Sequence, residues 1–261
     1  MRRLGVIGPL SRDVVAGAAP QIGGGPWHAA RALRALGHDA VVLAKCGENE
    51  RVRYRRTLAT LGLPSNVSAD GETTAFSFSY DENGVRTMQV DAVGDPWKRE
   101  DVPAALLRQV EWLHVAPLLR GDFDADLLEW LARGRRILLD AQGLVRARAT
   151  GPLVLDDRFD RSLLRHVDVL KVAEEEAEAI GGIDDLGVPE IVVTSGPRGS
   201  RVITRDGDVH VPAHWVAADP TGAGDAFAVA YAGSRADGHG PLSSSRRATA
   251  LVAALLAQER R

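Results

Sequence analysis

Short apolar runs alternate with longer helical patterns along almost the whole chain, and no other feature limits its possible folds as strongly. Runs at 4–7, 40–44, 112–115, 137–140, 169–172, 191–194 and 202–204 have strand length and strand composition. Helical periodicity fills the gaps at 26–36, 52–61, 125–132, 174–180 and 225–236, and a last pattern spans 244–258. Strands that are apolar throughout bury both faces, so this order predicts an α/β fold. The expected form is a three-layer α/β/α sandwich with a mostly parallel central sheet. One stretch breaks the alternation: 73–80 and 85–91 flank Asp81-Glu82-Asn83-Gly84, a hairpin turn signal with no crossover helix. The hairpin is expected to lie outside the parallel sheet as a small lid formed mainly by about 67–91, or as an ordinary edge hairpin. Neither a repeat nor a linker divides the chain, and 1–261 reads as a single domain.

Composition removes several classes of function. A formal net charge of −3, with 26% charged residues, leaves no basic footprint for nucleic acid or for an anionic membrane. A hydrophobic fraction of 45% supports a sizeable core, but no run reaches the roughly 18 apolar residues of a membrane span. A cytoplasmic protein is expected. Cys46 stands alone, which rules out an internal disulfide and a cysteine-built zinc site. The P-loop pattern, the three-glycine dinucleotide fingerprint, H-E-x-x-H and G-x-S-x-G are all missing from the sequence.

What remains is the loop Asp219-Pro220-Thr221-Gly222-Ala223-Gly224-Asp225, followed by the small apolar run 226–232. Small residues let the backbone approach a ligand closely, and free N–H groups at a helix start attract anions. A carboxylate at Asp225 would stand beside that cradle, where it could take a proton from a hydroxyl attacking a phosphoryl group. The plainer reading is a capped helix with a glycine-rich entry.

Three motifs then fall into one pattern. Asp219 to Asp225 resembles the C-terminal signature of the ribokinase-like (PfkB) family of carbohydrate kinases. Gly23-Gly24-Gly25-Pro26-Trp27-His28-Ala29-Ala30 resembles that family's first signature, and 192–200 its nucleotide-side strand and turn. The resemblance implies ATP-dependent phosphoryl transfer to a hydroxyl of a small sugar or polyol. It implies Asp225 as general base, with the Gly222, Ala223 and Gly224 amides stabilising charge on the phosphoryl oxygens. Asp13, Gly24 and Gly25 would face the acceptor, and Thr194, Gly196 and Gly199 the ATP. Glu176 matches the acid associated with Mg²⁺ through water, while Asp219 and Thr221 match positions that hold K⁺ in part of the family.

This chain departs from the pattern twice. His28 stands where an asparagine usually binds the sugar, and Ala173 replaces the asparagine of the N-x-x-E motif. His28 either makes a hydrogen bond to the acceptor or packs beside Trp27. Asp140-Ala141-Gln142-Gly143-Leu144-Val145-Arg146 resembles a segment of the myo-inositol kinase subgroup, which adds Asp140 and Arg146 to the acceptor side; a salt bridge between them is the alternative. A nucleoside kinase, with Trp27 and Phe76 or Phe78 stacking a base, and a silent sugar-binding protein are the rival readings. The sequence leaves open whether the protein is a monomer or a homodimer.

Overall fold

The computed structural model describes residues 3–15, 18–80, 86–213, 216 and 221–258. Its strands are β1 (Arg3–Pro9), β2 (Ser11–Val15), β3 (Gln21–Gly23), β4 (Ala40–Cys46), β5 (Ser65–Ala69), β6 (Thr74–Tyr80) and β7 (Arg86–Ala92). They continue as β8 (Val110–Val115), β9 (Arg136–Asp140), β10 (Gly151–Pro152), β11 (Val169–Ala173), β12 (Glu190–Thr194), β13 (Ser200–Thr204) and β14 (Gly207–Val211). The helices are α1 (Gly25–Leu36), α2 (Arg51–Ala59), α3 (Ala125–Ala132), α4 (Gln142–Val145), α5 (Glu174–Ile180), α6 (Ala223–Ala236) and α7 (Pro241–Gln258).

Nine strands form the main sheet in the order β14-β13-β12-β11-β9-β8-β1-β4-β5. From β12 to β5 every pairing is parallel, and at one edge the β12–β13 and β13–β14 pairings are antiparallel, so β13 alone is reversed. Alternation along each strand sorts the apolar residues onto two faces. Leu4, Val6, Trp112, Leu138, Val169 and Val192 pack beneath α1, α6 and α7. Ile7, Leu113, Leu139, Leu170, Val172 and Ile191 pack against α3 and α5 on the other side. The expected sandwich is therefore the observed one.

The hairpin does leave the main sheet. β6 and β7 pair antiparallel through Phe76↔Val90 and Phe78↔Met88, and the turn expected at 81–84 lies outside the described residues. A second sheet of order β10-β7-β6-β2-β3 is built around this hairpin. Residues 67–69, grouped with the hairpin in the sequence, instead end β5 at the edge of the main sheet. β2, β3, β5 and β14 escape the sequence pattern because pairing, not apolar content, creates them; β5 buries only Val67.

Phe76, Phe78 and Val90 bury against Leu118 and Leu119, in the connection that leaves β8 at the sheet's carboxyl end. This contact fastens the second sheet over that end. Leu119, fully buried there, is its anchor. Leu119→Ala is expected to cost about 2–5 kcal/mol in equilibrium denaturant unfolding. A loss below about 1 kcal/mol would contradict this packing.

Candidate active site

Parity along three neighbouring strands assembles the centre of the site. Trp112, Leu138 and Val169 face α6, so the residues two places further on, His114, Asp140 and Lys171, must face it too. Asp140 and Lys171 are register partners across β9 and β11. Their side chains meet with Nζ 3.1 Å from Oδ2, and both are buried. The ion partner of Asp140 is thus Lys171, not Arg146.

The start of α6 comes down onto this group. Helix formation begins at Ala223, two residues earlier than the apolar run predicts. Gly222 precedes it with φ 80°, a left-handed conformation that suits glycine. The first bond within the helix runs from the Ala226 N–H to the Gly222 carbonyl. The amides without an intrahelical partner are accordingly those of the cap Gly222 and of Ala223, Gly224 and Asp225, a set that includes the expected Gly222–Gly224.

Asp225, in that first turn, turns its carboxylate inward. Its Oδ1 is buried and has no hydrogen-bond partner among the described residues. Ligand atoms of His114, Asp140 and Asp225 all lie within 4.8 Å of one another. Burial pushes the Asp225 carboxyl up to about 7, with Asp140 and Asp13 adding to the rise while Lys171 and Arg146 oppose it. Burial also holds His114 neutral, down at about 4, and both its ring nitrogens lack a partner among the described residues. For Lys171 burial works against the ammonium, but the carboxylates of Asp140, Glu176 and Asp225 outweigh it and raise its affinity for the proton.

The first glycine motif supports the same carboxylate. A Cβ at Gly25 would fall 2.4 Å from the Ala116 Cβ and 2.9 Å from Asp225 Oδ1, so only glycine lets α1 start this close. Gly24 is the cap of α1. Asp13, on β2, lies against Gly23 and sits near enough to act on the charge of Asp225. His28 is one turn into α1, with its ring packed on Gly222. It lines a cavity of about 240 Å³ with Arg31, Thr221 and Ala223.

Thr194 ends β12, while Gly196 and Gly199 shape the turn into β13, where Ser195 N–H donates to the Gly199 carbonyl at 2.8 Å. These residues and Ala223, Gly224 and Phe227 line a mainly apolar cavity of about 340 Å³ on the other flank of α6. Arg146 follows α4, close enough to lower the affinity of Asp225 and Glu176 for protons. Asp219 lies outside the described residues, and Thr221 is exposed at the entry to α6.

Glu176 is buried, and its Oε2 accepts the Ala173 N–H at 2.8 Å. Burial raises its affinity for a proton against the pull of Lys171. Ala173 occupies the N-cap of α5, where an asparagine would cap a further N–H and alanine cannot.

Lys171 and His114 were missed in the sequence reading. A signal existed, since each is polar inside a strand that is otherwise apolar, at the parity of the face beneath α6.

The sequence profile of the pfkB family carbohydrate kinases matches residues 18–261. The chain belongs to the pfkB family. Inositol 3-kinase of Zea mays is 31% identical over 204 residues, covering 74% of this chain and 52% of its own length. The chain therefore spans about half of that relative. Fructokinase of Klebsiella pneumoniae is 30% identical over 231 residues, covering 78% of this chain and 74% of its own. Among solved structures, a pyrophosphate-dependent kinase of the ribokinase family, in complex with a pyrophosphate analogue and myo-inositol, superposes with a TM-score of 0.82. It is 25% identical, with 97% of this chain and 94% of that one covered. The same kind of kinase in a sulfate complex gives 0.83, at 25% identity and coverages of 97% and 95%. No described helix is long and apolar enough to cross a membrane.

Two outcomes follow for stability. A carboxyl raised from 3.8 to about 7 on folding leaves stability intact below pH 4 and removes it as pH climbs through 7. Asp225→Asn cannot ionise, so it should be more stable than wild type at pH 8 by on the order of 2–4 kcal/mol, with the gap closing toward pH 4. Thermal unfolding of both proteins across that range checks this. Ala173→Asn should raise stability by about 0.5–1 kcal/mol through the restored cap, read in the same unfolding assay.

Proposed function

We propose that the chain transfers the terminal phosphoryl group of ATP to a hydroxyl of a small sugar or cyclic polyol. One observation carries the reading: Asp225 turns a buried Oδ1 toward Asp140 at the point where α6 amides without an intrahelical partner open onto the site. An acceptor hydroxyl held between Asp13 and Asp140 would approach the phosphorus along the line from Asp225. The new O–P bond forms as the bridging O–P bond to the leaving ADP breaks, and the hydroxyl proton passes to Asp225. An acid poised near neutrality suits that exchange. The amides of Ala223 and Gly224 would stabilise charge on the phosphoryl oxygens.

Asp13, Gly24, Gly25, Asp140 and Arg146 are the proposed acceptor side. His28, packed on Gly222, would shape the cradle from behind. Burial of Phe76 and Phe78 against Leu118 and Leu119 leaves neither free to stack a base, which favours a sugar or polyol over a nucleoside. The inositol kinase relative and the neighbour bound to myo-inositol support a cyclic polyol. The second sheet would close over the acceptor and exclude water.

For the donor, the cavity walled by Thr194, Pro197, Phe227, Val252 and Leu256 fits a purine base in size and in apolar character. Glu176 has one oxygen committed to Ala173 N–H and one remaining, a donor set that suits a hydrated magnesium ion held mainly by the donor's phosphates. Bound magnesium would neutralise phosphate charge. Thr221, with Asp219, is the proposed K⁺ position. A second donor reading, pyrophosphate, is favoured by the two solved neighbours, which use it.

Turnover with myo-inositol, fructose and nucleosides, using ATP or pyrophosphate as donor, tests the reading. A cyclic polyol or sugar with ATP should give the highest kcat/KM; a tenfold preference for pyrophosphate would replace the donor assignment. Asp225→Asn should lower kcat by at least about 100-fold, and wild-type kcat should fall as pH drops below about 7. Turnover by Asp225→Asn at the wild-type rate would remove the base.

A further inference from the structure

We propose that Lys171 is a positioning residue of this site, its ammonium fixing the Asp140 carboxylate and forming the floor of the anion cradle at Gly224. The effect on turnover rests on the kinase reading, while the anion-binding part does not.

Two contacts on opposite sides of the ammonium carry the inference. On one side Asp140 Oδ2 is 3.1 Å away, held there by the register of β9 and β11. On the other, a Cβ built at Gly224 would sit 3.0 Å from Nζ, so the ammonium lies directly under the second residue of α6. An alanine at 224 would press on it, and the ammonium would have to give way by a few tenths of an ångström. An ammonium has three N–H groups, and Asp140 takes one. The remaining donors are buried beside a helix start whose own amides have no intrahelical partner. An anion that reached the Ala223 and Gly224 amides would meet this charge from below.

The other buried lysine makes the contrast. Lys45, on β4, donates to the Pro96 carbonyl at 2.8 Å and to Asp101 Oδ2 at 2.7 Å, tying a loop to the sheet. Its donors go to the protein's own groups, far from any cradle. The choice of residue type also fits. Lysine occurs only at 45, 98 and 171 among 32 basic residues, so arginine is this chain's default cation. A compact point charge fits under Gly224, where a planar five-donor fork would not. The groups facing Lys171 are Asp140 on β9, His114 on β8, Glu176 on α5 and Asp225 on α6, with Arg146 beyond them. Removing the ammonium leaves Asp140 buried without its partner and free to turn away from an acceptor.

The test compares Lys171→Met, Lys171→Arg and Lys45→Met, each scored per folded molecule. Inorganic phosphate, titrated as the probe, is read by the shift it causes in Tm; steady-state kcat and KM are read separately. Lys171→Met should lose at least about tenfold in phosphate affinity and about 100-fold in kcat, a loss of the size seen when one preorganised donor is removed. Lys45→Met should lower Tm but keep phosphate affinity and kcat within about threefold. Should Lys171→Met fail to fold, Lys171→Arg, which keeps the charge, should still lose at least about tenfold in kcat. Wild-type phosphate affinity and kcat in a folded Lys171 variant would overturn the proposal and leave the kinase reading standing. A wild type that binds phosphate through Lys171 but turns over no acceptor would do the reverse.

Discussion

Asp140 and Lys171 face each other across neighbouring strands where the main sheet ends and α6 begins. Their separation of 3.1 Å is set by strand register, and both are buried. Around this pair the fold gathers more negative charge than it neutralises: Glu176 from α5 and Asp225 from α6, with a neutral His114 beside them. Burying ions is costly unless each finds a partner. Burial is the main reason that the proton affinity of Asp225 rises into the neutral range, with Asp140 and Asp13 adding to it and Lys171 and Arg146 opposing it. That setting turns an ordinary aspartate into a usable base.

The rest of the architecture keeps the arrangement in place. Parallel strands bring the ends of β8, β9 and β11 to one edge, as open α/β sheets do where they bind ligands. The closeness of Gly25 to Ala116 lets α1 start against Asp225, and the left-handed turn at Gly222 aims α6 at the same point. Leu118 and Leu119 fasten the second sheet over the opening. Each of these features is a matter of backbone approach or apolar packing, and each acts on the position of one carboxylate.

Much of this was legible in the residues. The seven strands expected from apolar runs all exist, and the helices at 125–132 and 174–180 have the expected limits, because buried parallel strands and amphipathic helices announce themselves by composition. β2, β3, β5 and β14 did not, since their residues are polar or small and become strands only through their partners. The motif residues Asp13, Gly25, Asp140 and Asp225 lie together in the structure. Lys171 went unread, although it lies inside the run 169–172, because the parity that places it under α6 appears only once β9 and β11 are paired. His28 shows the opposite case: its identity was conspicuous, but its contact with Gly222 depends on α1 and α6 lying side by side.

The central claim is that burial beside Asp140 holds Asp225 near neutrality. Isotope-edited infrared or carbon NMR titration of the aspartate carboxyls, with Asp225→Asn identifying the signal, measures this directly. The account predicts an Asp225 midpoint near 7 in the free protein. A midpoint near the ordinary aspartate value of about 4 would contradict it.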